Sequence, residues 1–183
     1  MTAWAEARYK SAKAVHVGGY EGTSDDTTLS CFPPGVPRIY LFNFPMEIIQ
    51  VPGRVILYYE FGHFVRQIFT DGRGHAKEAN PTWMGDSIGK WEGATLVVDT
   101  IGFNDKTWLD QVGHPHSEDL HLVERIRRVA QDMLQINFTF DDPKAYTKPW
   151  TAQKSFKFRP DWNIAEYVCE DNFNNKDILE ISK

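Results

Sequence analysis

Histidines and acids crowd one stretch of the chain. Residues 113–121 (Gly113-His114-Pro115-His116-Ser117-Glu118-Asp119-Leu120-His121) hold three of the six histidines, and the run to Arg128 mixes acids and arginines with apolar residues. In an extended chain Leu120, Leu122, Glu124 and Ile126 share one face, and His121, Val123, Arg125 and Arg127 the other. If the apolar set points inward, Glu124 stands among apolar side chains, where desolvation tunes a carboxyl group for general acid or base work. Ser117–Asp119 spans about 10 Å when extended, enough to fold His116 over the same mouth. His116 and Glu124 are therefore the expected acid–base pair, with Arg66 or Arg125 stabilising an anion. Asp99, between Val97 and Ile101, and Glu60, after Tyr58-Tyr59, are further candidate carboxylates. The same residues allow a structural reading, in which Arg66 pairs with one of these acids in a buried network that fixes strand register.

Other chemistries are set against this one. His114 and His116, two apart, are placed to share a metal with His121 or His63. However, Pro115 bends the segment, Glu118 and Asp119 compete for the rings, and no HExxH or paired CxxC supports a metal site. Solvated loop histidines are the plainer reading, and no cofactor is expected. Trp83, Trp91 and Trp108 flank connectors; with Tyr59, His63 and His121 they are candidate ligand-binding side chains, or else core that plugs the ends of the fold. Ser87 in Gly85-Asp86-Ser87-Ile88-Gly89 lacks the strand-to-helix context of a nucleophile elbow. Phosphate-binding glycine loops are missing, and Asn137-Phe138-Thr139 falls in mid-strand.

Elements that could position such a site follow from composition and periodicity. The 183 residues suit one domain, with 42% hydrophobic and 25% charged residues. Aromatics at 14% favour pleated, half-buried surfaces. A net charge of −5 and only a local cluster at Arg125, Arg127 and Arg128 argue against nucleic acid as a partner. No apolar run approaches the ~20 residues of a membrane span. No feature specifies an oligomeric state.

Residues 2–15 suit a helix capped by Thr2, with Trp4, Ala7, Ser11 and Ala14 on one stripe. Residues 16–37 read as an irregular arm that wraps the body or covers an opening. Strands follow at Met46–Val51, Val55–Phe61, His63–Thr70, Ser87–Trp91, Thr95–Thr100, Leu120–Ala130, Met133–Phe140, Ala152–Phe158 and Ile164–Cys169. Two hairpins turn at Glu92-Gly93 and Gln131-Asp132. Leu134, Ile136, Phe138 and Phe140 alternate with polar residues, and Phe156 and Phe158 continue the pattern. The expected fold is all-β: a lipocalin-like antiparallel β-barrel of about eight strands, closed or nearly so, able to hold one small ligand. A two-sheet sandwich is the rival. The organisation is a single domain over 1–183, with helix and wrapping arm at 1–37, barrel at 38–170 and a polar tail at 171–183.

Arg66-Gln67-Ile68-Phe69-Thr70-Asp71-Gly72-Arg73, Pro81-Thr82-Trp83, Gly85, Ser87, Gly89 and Trp91-Glu92-Gly93 resemble one large family of uncharacterised bacterial proteins. So do Gly102-Phe103-Asn104-Asp105-Lys106-Thr107-Trp108-Leu109-Asp110, Pro115-His116-Ser117, Glu124-Arg125, Asp141-Asp142-Pro143 through Tyr146, and Pro149-Trp150. The resemblance covers residues 31–172 and departs at Ala94, where an Asp is common. Members begin with a secretion signal and a short extra segment, so the chain looks like a trimmed mature form, secreted or periplasmic. Cys31 and Cys169 alone allow either one disulfide or two buried thiols; the export implied by the resemblance favours the disulfide. The resulting expectation is a small-molecule-binding barrel that is an enzyme doing metal-independent acid–base chemistry (isomerase, lyase or hydrolase) on a compact organic substrate. The alternatives are a non-catalytic lipocalin-like binding protein and a metal-dependent enzyme using the clustered histidines.

Overall fold

The structure, a computed structural model, describes residues 1–12, 14–17, 20–23, 26–77 and 80–169. Its body is one eight-stranded sheet curled into a half-barrel. The all-β, barrel-like fold expected from the alternation is thus observed, and the sandwich is excluded because all eight strands share one sheet. In chain order they are β3 (Met46–Val51), β4 (Arg54–Tyr59), β5 (Val65–Phe69), β6 (Asp86–Glu92), β7 (Thr95–Ile101), β8 (His121–Ala130), β9 (Met133–Asp141) and β10 (Trp150–Lys157). They follow a small antiparallel hairpin of β1 (Ala14–Val17) and β2 (Tyr20–Thr23), in a region the sequence read as helix end and irregular arm. Chain order is kept across the sheet, β10-β9-β8-β7-β6-β5-β4-β3. β3 and β10 are its two edges, so the sheet does not close on itself.

Both hairpins read from turn chemistry form, β6–β7 and β8–β9, the latter with a bulge between Arg128 and Ala130. The expected all-antiparallel meander is interrupted once: β5 and β6 pair in parallel through Ile68↔Ser87 and Phe69↔Ile88. The long connection after Phe69 makes this possible, since parallel neighbours need a crossover of a dozen or more residues.

Period-two burial fixes the inner face. Val55, Leu57 and Tyr59 on β4, Leu96 and Val98 on β7, Leu122 and Ile126 on β8, and Ile136, Phe138 and Phe140 on β9 are buried. A half-barrel leaves this concave face uncovered, and the chain before β3 fills it. Val36, Ile39 and Tyr40 belong to the same core cluster, around a short 3₁₀ turn at Arg38–Leu41. Tyr40 packs among the strand aromatics, with ring centroids 5.8 Å from Tyr59, 5.7 Å from Phe138 and 5.9 Å from Phe156. The arm expected over the surface is therefore, at its C-terminal end, an interior plug, and the core holds apolar side chains where a lipocalin-like cavity was expected. Gly35 allows the entry: it has φ +76°, and a Cβ there would lie 2.7 Å from the Thr107 hydroxyl. Asp26 anchors the plug through a buried two-pronged pair with Arg38 and accepts from the Thr28 amide at 2.9 Å.

Helix α1 (Ala3–Ser11) is capped as expected, Thr2 Oγ1 accepting from the Ala5 amide. Its docking face differs from the expected stripe. Ala5 is buried while Ala7 is exposed, Arg8 donates to the Asp105 carbonyl at 2.7 Å, and Tyr9 stacks on His114 with centroids 4.7 Å apart. The strand expected at Ile164–Cys169 does not form. That segment runs irregularly to Cys169, which is bonded to Cys31. Phe158, expected inward, is 60% exposed.

Candidate functional site

The polar centre of the concave face is Arg66. β5 aims it inward beside Ile68, and it is 1% exposed. Glu124, inward on β8 as its apolar neighbours imply, is 0% exposed and pairs with both terminal nitrogens of the guanidinium, at 3.0 Å through Nη1 and more closely through Nη2. Arg66 also donates to Tyr40 Oη at 2.9 Å, Ser87 Oγ at 3.1 and 3.2 Å, and Thr100 Oγ1 at 2.9 Å. Burial opposes the Arg66 charge, but the Glu124 carboxylate outweighs it and holds the guanidinium pKa above its ordinary value. Burial, then Glu124, push the Tyr40 phenol well above its own, and burial raises that of Tyr59, which sits in the core. This is the Arg–carboxylate network that the sequence allowed as its structural reading.

His116 lies elsewhere. Thr107 Oγ1 donates to its Nε2 at 2.7 Å, and its Nδ1 donates to the Ser117 carbonyl at 3.1 Å. The Ser117 carbonyl fixes the proton on Nδ1, and burial lowers the ring's pKa, favouring the neutral form in which Nε2 accepts from Thr107. No hydrogen bond joins it to Glu124. The loop around it is tied down by Asp142, which accepts from the Ser117 amide at 2.7 Å, the Ser117 hydroxyl at 2.8 Å and the Ala145 amide at 3.0 Å.

The remaining candidates are spread over the fold. Asp99 does not point inward with Glu124; register places Val98 and Thr100 there instead. Asp99 Oδ1 receives two histidines on the outer face, His121 Nε2 and His75 Nε2, each at 3.0 Å. Arg125, also outside, pairs with Glu92 at 2.9 Å. His114 is held by Asp110 at 2.6 Å. His114, His116 and His121 thus have separate partners, and among the described residues no set of three His, Cys, Asp or Glu side chains is arranged to hold a metal. Trp83 stacks on Phe32 at 5.4 Å, Trp108 is buried with Arg8 over its ring at 5.4 Å, and Trp91 is 46% exposed at the end of β6.

Glu60 and His63 hold the chain's last described segment. Glu60 Oε2 accepts from the Ala165 amide at 2.7 Å, and His63 Nε2 from the Tyr167 amide at 2.8 Å. That leaves His63 Nδ1 to donate to Tyr58 Oη at 2.6 Å. The Tyr167 ring packs on Phe44 and Phe61, with centroids 5.3 and 5.2 Å away. Residues 158–169 therefore leave edge strand β10, reach the β4 end beside edge strand β3, and finish at the Cys31–Cys169 disulfide. They form a strap across the open side of the half-barrel.

Beneath the strap lies a groove of about 790 Å³ between the two edges. Tyr40 and Phe156 line it from the core side, Met46 and Ile48 from β3, Lys154 from β10, and Phe158, Pro160, Trp162 and Ile164 from the strap. None of these residues was a site candidate in the sequence, where Phe156 and Phe158 were read only as inward strand residues. One signal was present: Lys154 interrupts the inward face that Trp150 and Phe156 define on β10. The groove itself depends on a sheet that stays open, which strand periodicity does not reveal. Comparison with known proteins returns no matching family model, no matching curated protein and no matching solved structure.

Proposed function

We propose that the protein binds a small molecule, without acting on it, in the groove between β3 and β10. One observation carries this reading: a concave space of about 790 Å³ with aromatic walls, within the 300–1,000 Å³ range of ligand sites. The interior is packed, and the charged pair at the centre of its concave face, Arg66–Glu124, is saturated with protein partners. His116 and Glu124 spend their hydrogen bonds on different groups, which gives acid–base chemistry no meeting point. The Cys31–Cys169 disulfide supports an oxidising compartment such as the periplasm or the exterior.

A neutral, environment-sensitive probe, N-phenyl-1-naphthylamine, tests the reading. It should bind the wild-type protein with micromolar affinity and accept energy from Trp162 in the strap. Ile48→Trp, which fills the groove from the β3 edge, should weaken binding while far-UV circular dichroism stays unchanged. A wild-type protein that does not take up the probe, or an Ile48→Trp variant that binds it equally well, overturns the assignment.

A further inference from the structure

The groove's charges point to the class of molecule it takes, an inference that rests on the binding role proposed above. The chain is net negative at −5, yet the groove is lined by Arg128, Lys154, Lys157 and Arg159 against one acid, Glu47. These cations differ in what already engages them. Arg159 pairs with Asp161 at 2.8 Å. Arg128 donates to the Ala130 and Gln131 carbonyls at the β8 bulge, and Lys157 sits exposed at the end of β10.

Lys154 is different. It stands on the inward face of β10, opposite the buried Ile136 and in line with Phe156, and is itself half-buried. No acid among the described residues pairs with it. An ammonium drawn partly out of water without a counter-charge carries a desolvation cost that a bound anion offsets. Its neighbours in the groove, Tyr40, Phe42, Phe44 and Phe156, supply an apolar surface for the rest of such a ligand. We propose that the groove takes a small amphipathic organic anion, with its acidic group on Lys154 and its apolar body against these rings.

Two probes that differ by one sulfonate test this: N-phenyl-1-naphthylamine and 1-anilinonaphthalene-8-sulfonate. Wild-type protein should bind the sulfonate about tenfold more tightly or better, the scale of a charge-assisted hydrogen bond. Lys154→Met should remove that advantage, bringing the affinities for the two probes together, whereas Lys154→Arg should keep it. Equal affinity for both probes in the wild type, or a sulfonate preference that survives Lys154→Met, overturns the anion assignment. Continued binding of the neutral probe would in either case leave the groove standing as a binding site. If the wild type binds neither probe, the binding role fails and this inference fails with it.

Discussion

Arg66 and Glu124 meet across the concave face from β5 and β8, strands that the sheet separates by β6 and β7. A pair that skips two strands is a chord across the curve. The guanidinium also reaches Ser87 on β6 and Thr100 on β7, so one side chain gathers four neighbouring strands and the Tyr40 plug. Flattening the sheet, or slipping one strand by a residue, would pull these acceptors from a charge with no access to water. The network thus ties β5, β6, β7 and β8 to one buried side chain.

Breaking the chord on one side should therefore cost more than removing it. Glu124→Gln leaves Arg66 buried without its counter-charge, and the expected loss is about 3–5 kcal/mol in urea denaturation. Arg66→Met with Glu124→Leu removes both charges and should recover much of that loss. A single variant as stable as wild type would show that the pair does not hold the fold.

His116 gives the fold a pH dependence whose sign follows from burial. Its folded-state pKa is depressed, so below the ordinary value of about 6.5 the unfolded chain takes up a proton that the buried ring refuses. The His116 contribution is fully present above about pH 6.5 and is lost as pH falls from there towards the folded-state value, with a slope of at most about 1.4 kcal/mol per pH unit. His116→Gln keeps polar atoms near Thr107 and cannot titrate. Subtracting its stability profile from that of wild type between pH 5 and 8 should isolate this slope. Parallel profiles would show that the ring does not couple folding to pH.

Strands and their inward faces could be read from the residues because alternation is a local signal. Leu134–Phe140 and the placement of Glu124 among Leu122 and Ile126 follow from period two alone. Pairings made across the fold left weaker traces. Asp99 sits between apolar residues in sequence, yet its strand register turns it outward to His75 and His121. The plug at Val36–Tyr40 lies among prolines and glycine, whose turn chemistry masks an apolar cluster that only an open sheet requires. Glu60 stood out as a carboxylate after Tyr58-Tyr59 and His63 as a candidate metal or ligand-binding side chain, but what they hold is backbone more than a hundred residues away.

His75 pins the connection between β5 and β6 to the outer face. Its Nδ1 lies 3.0 Å from Asp86 Oδ2, its Nε2 3.0 Å from Asp99 Oδ1, and Asp86 also accepts from the Ala76 amide at 3.0 Å. A doubly protonated ring donates to both carboxylates at once, whereas a neutral ring donates to one. His75→Ala should speed hydrogen exchange at the Ala76 amide by about tenfold, as expected for a local opening made easier by about 1.4 kcal/mol, with little change in global stability. Unchanged exchange at Ala76 would mean the loop is held by other contacts.

The strap lines one side of the groove. Its far end is fixed at three points: the Glu60 contact to Ala165, the His63 contact to Tyr167, and the disulfide between residues 138 apart in sequence. A crosslink closing so long a loop stabilises by restricting the unfolded chain, so Cys31→Ser with Cys169→Ser should cost about 3–5 kcal/mol. The two hydrogen bonds act differently, since they position the strap without constraining the unfolded state. His63→Ala removes the acceptor for the Tyr167 amide and the partner of Tyr58, so the strap should lift locally while the disulfide still tethers it. N-phenyl-1-naphthylamine should then dissociate several-fold faster from His63→Ala than from wild type, with melting temperature shifted far less than in the cysteine variant. If dissociation is unchanged when the strap has lost this hold, residues 158–164 do not cover the bound molecule, and the groove must be entered from the β3 side alone.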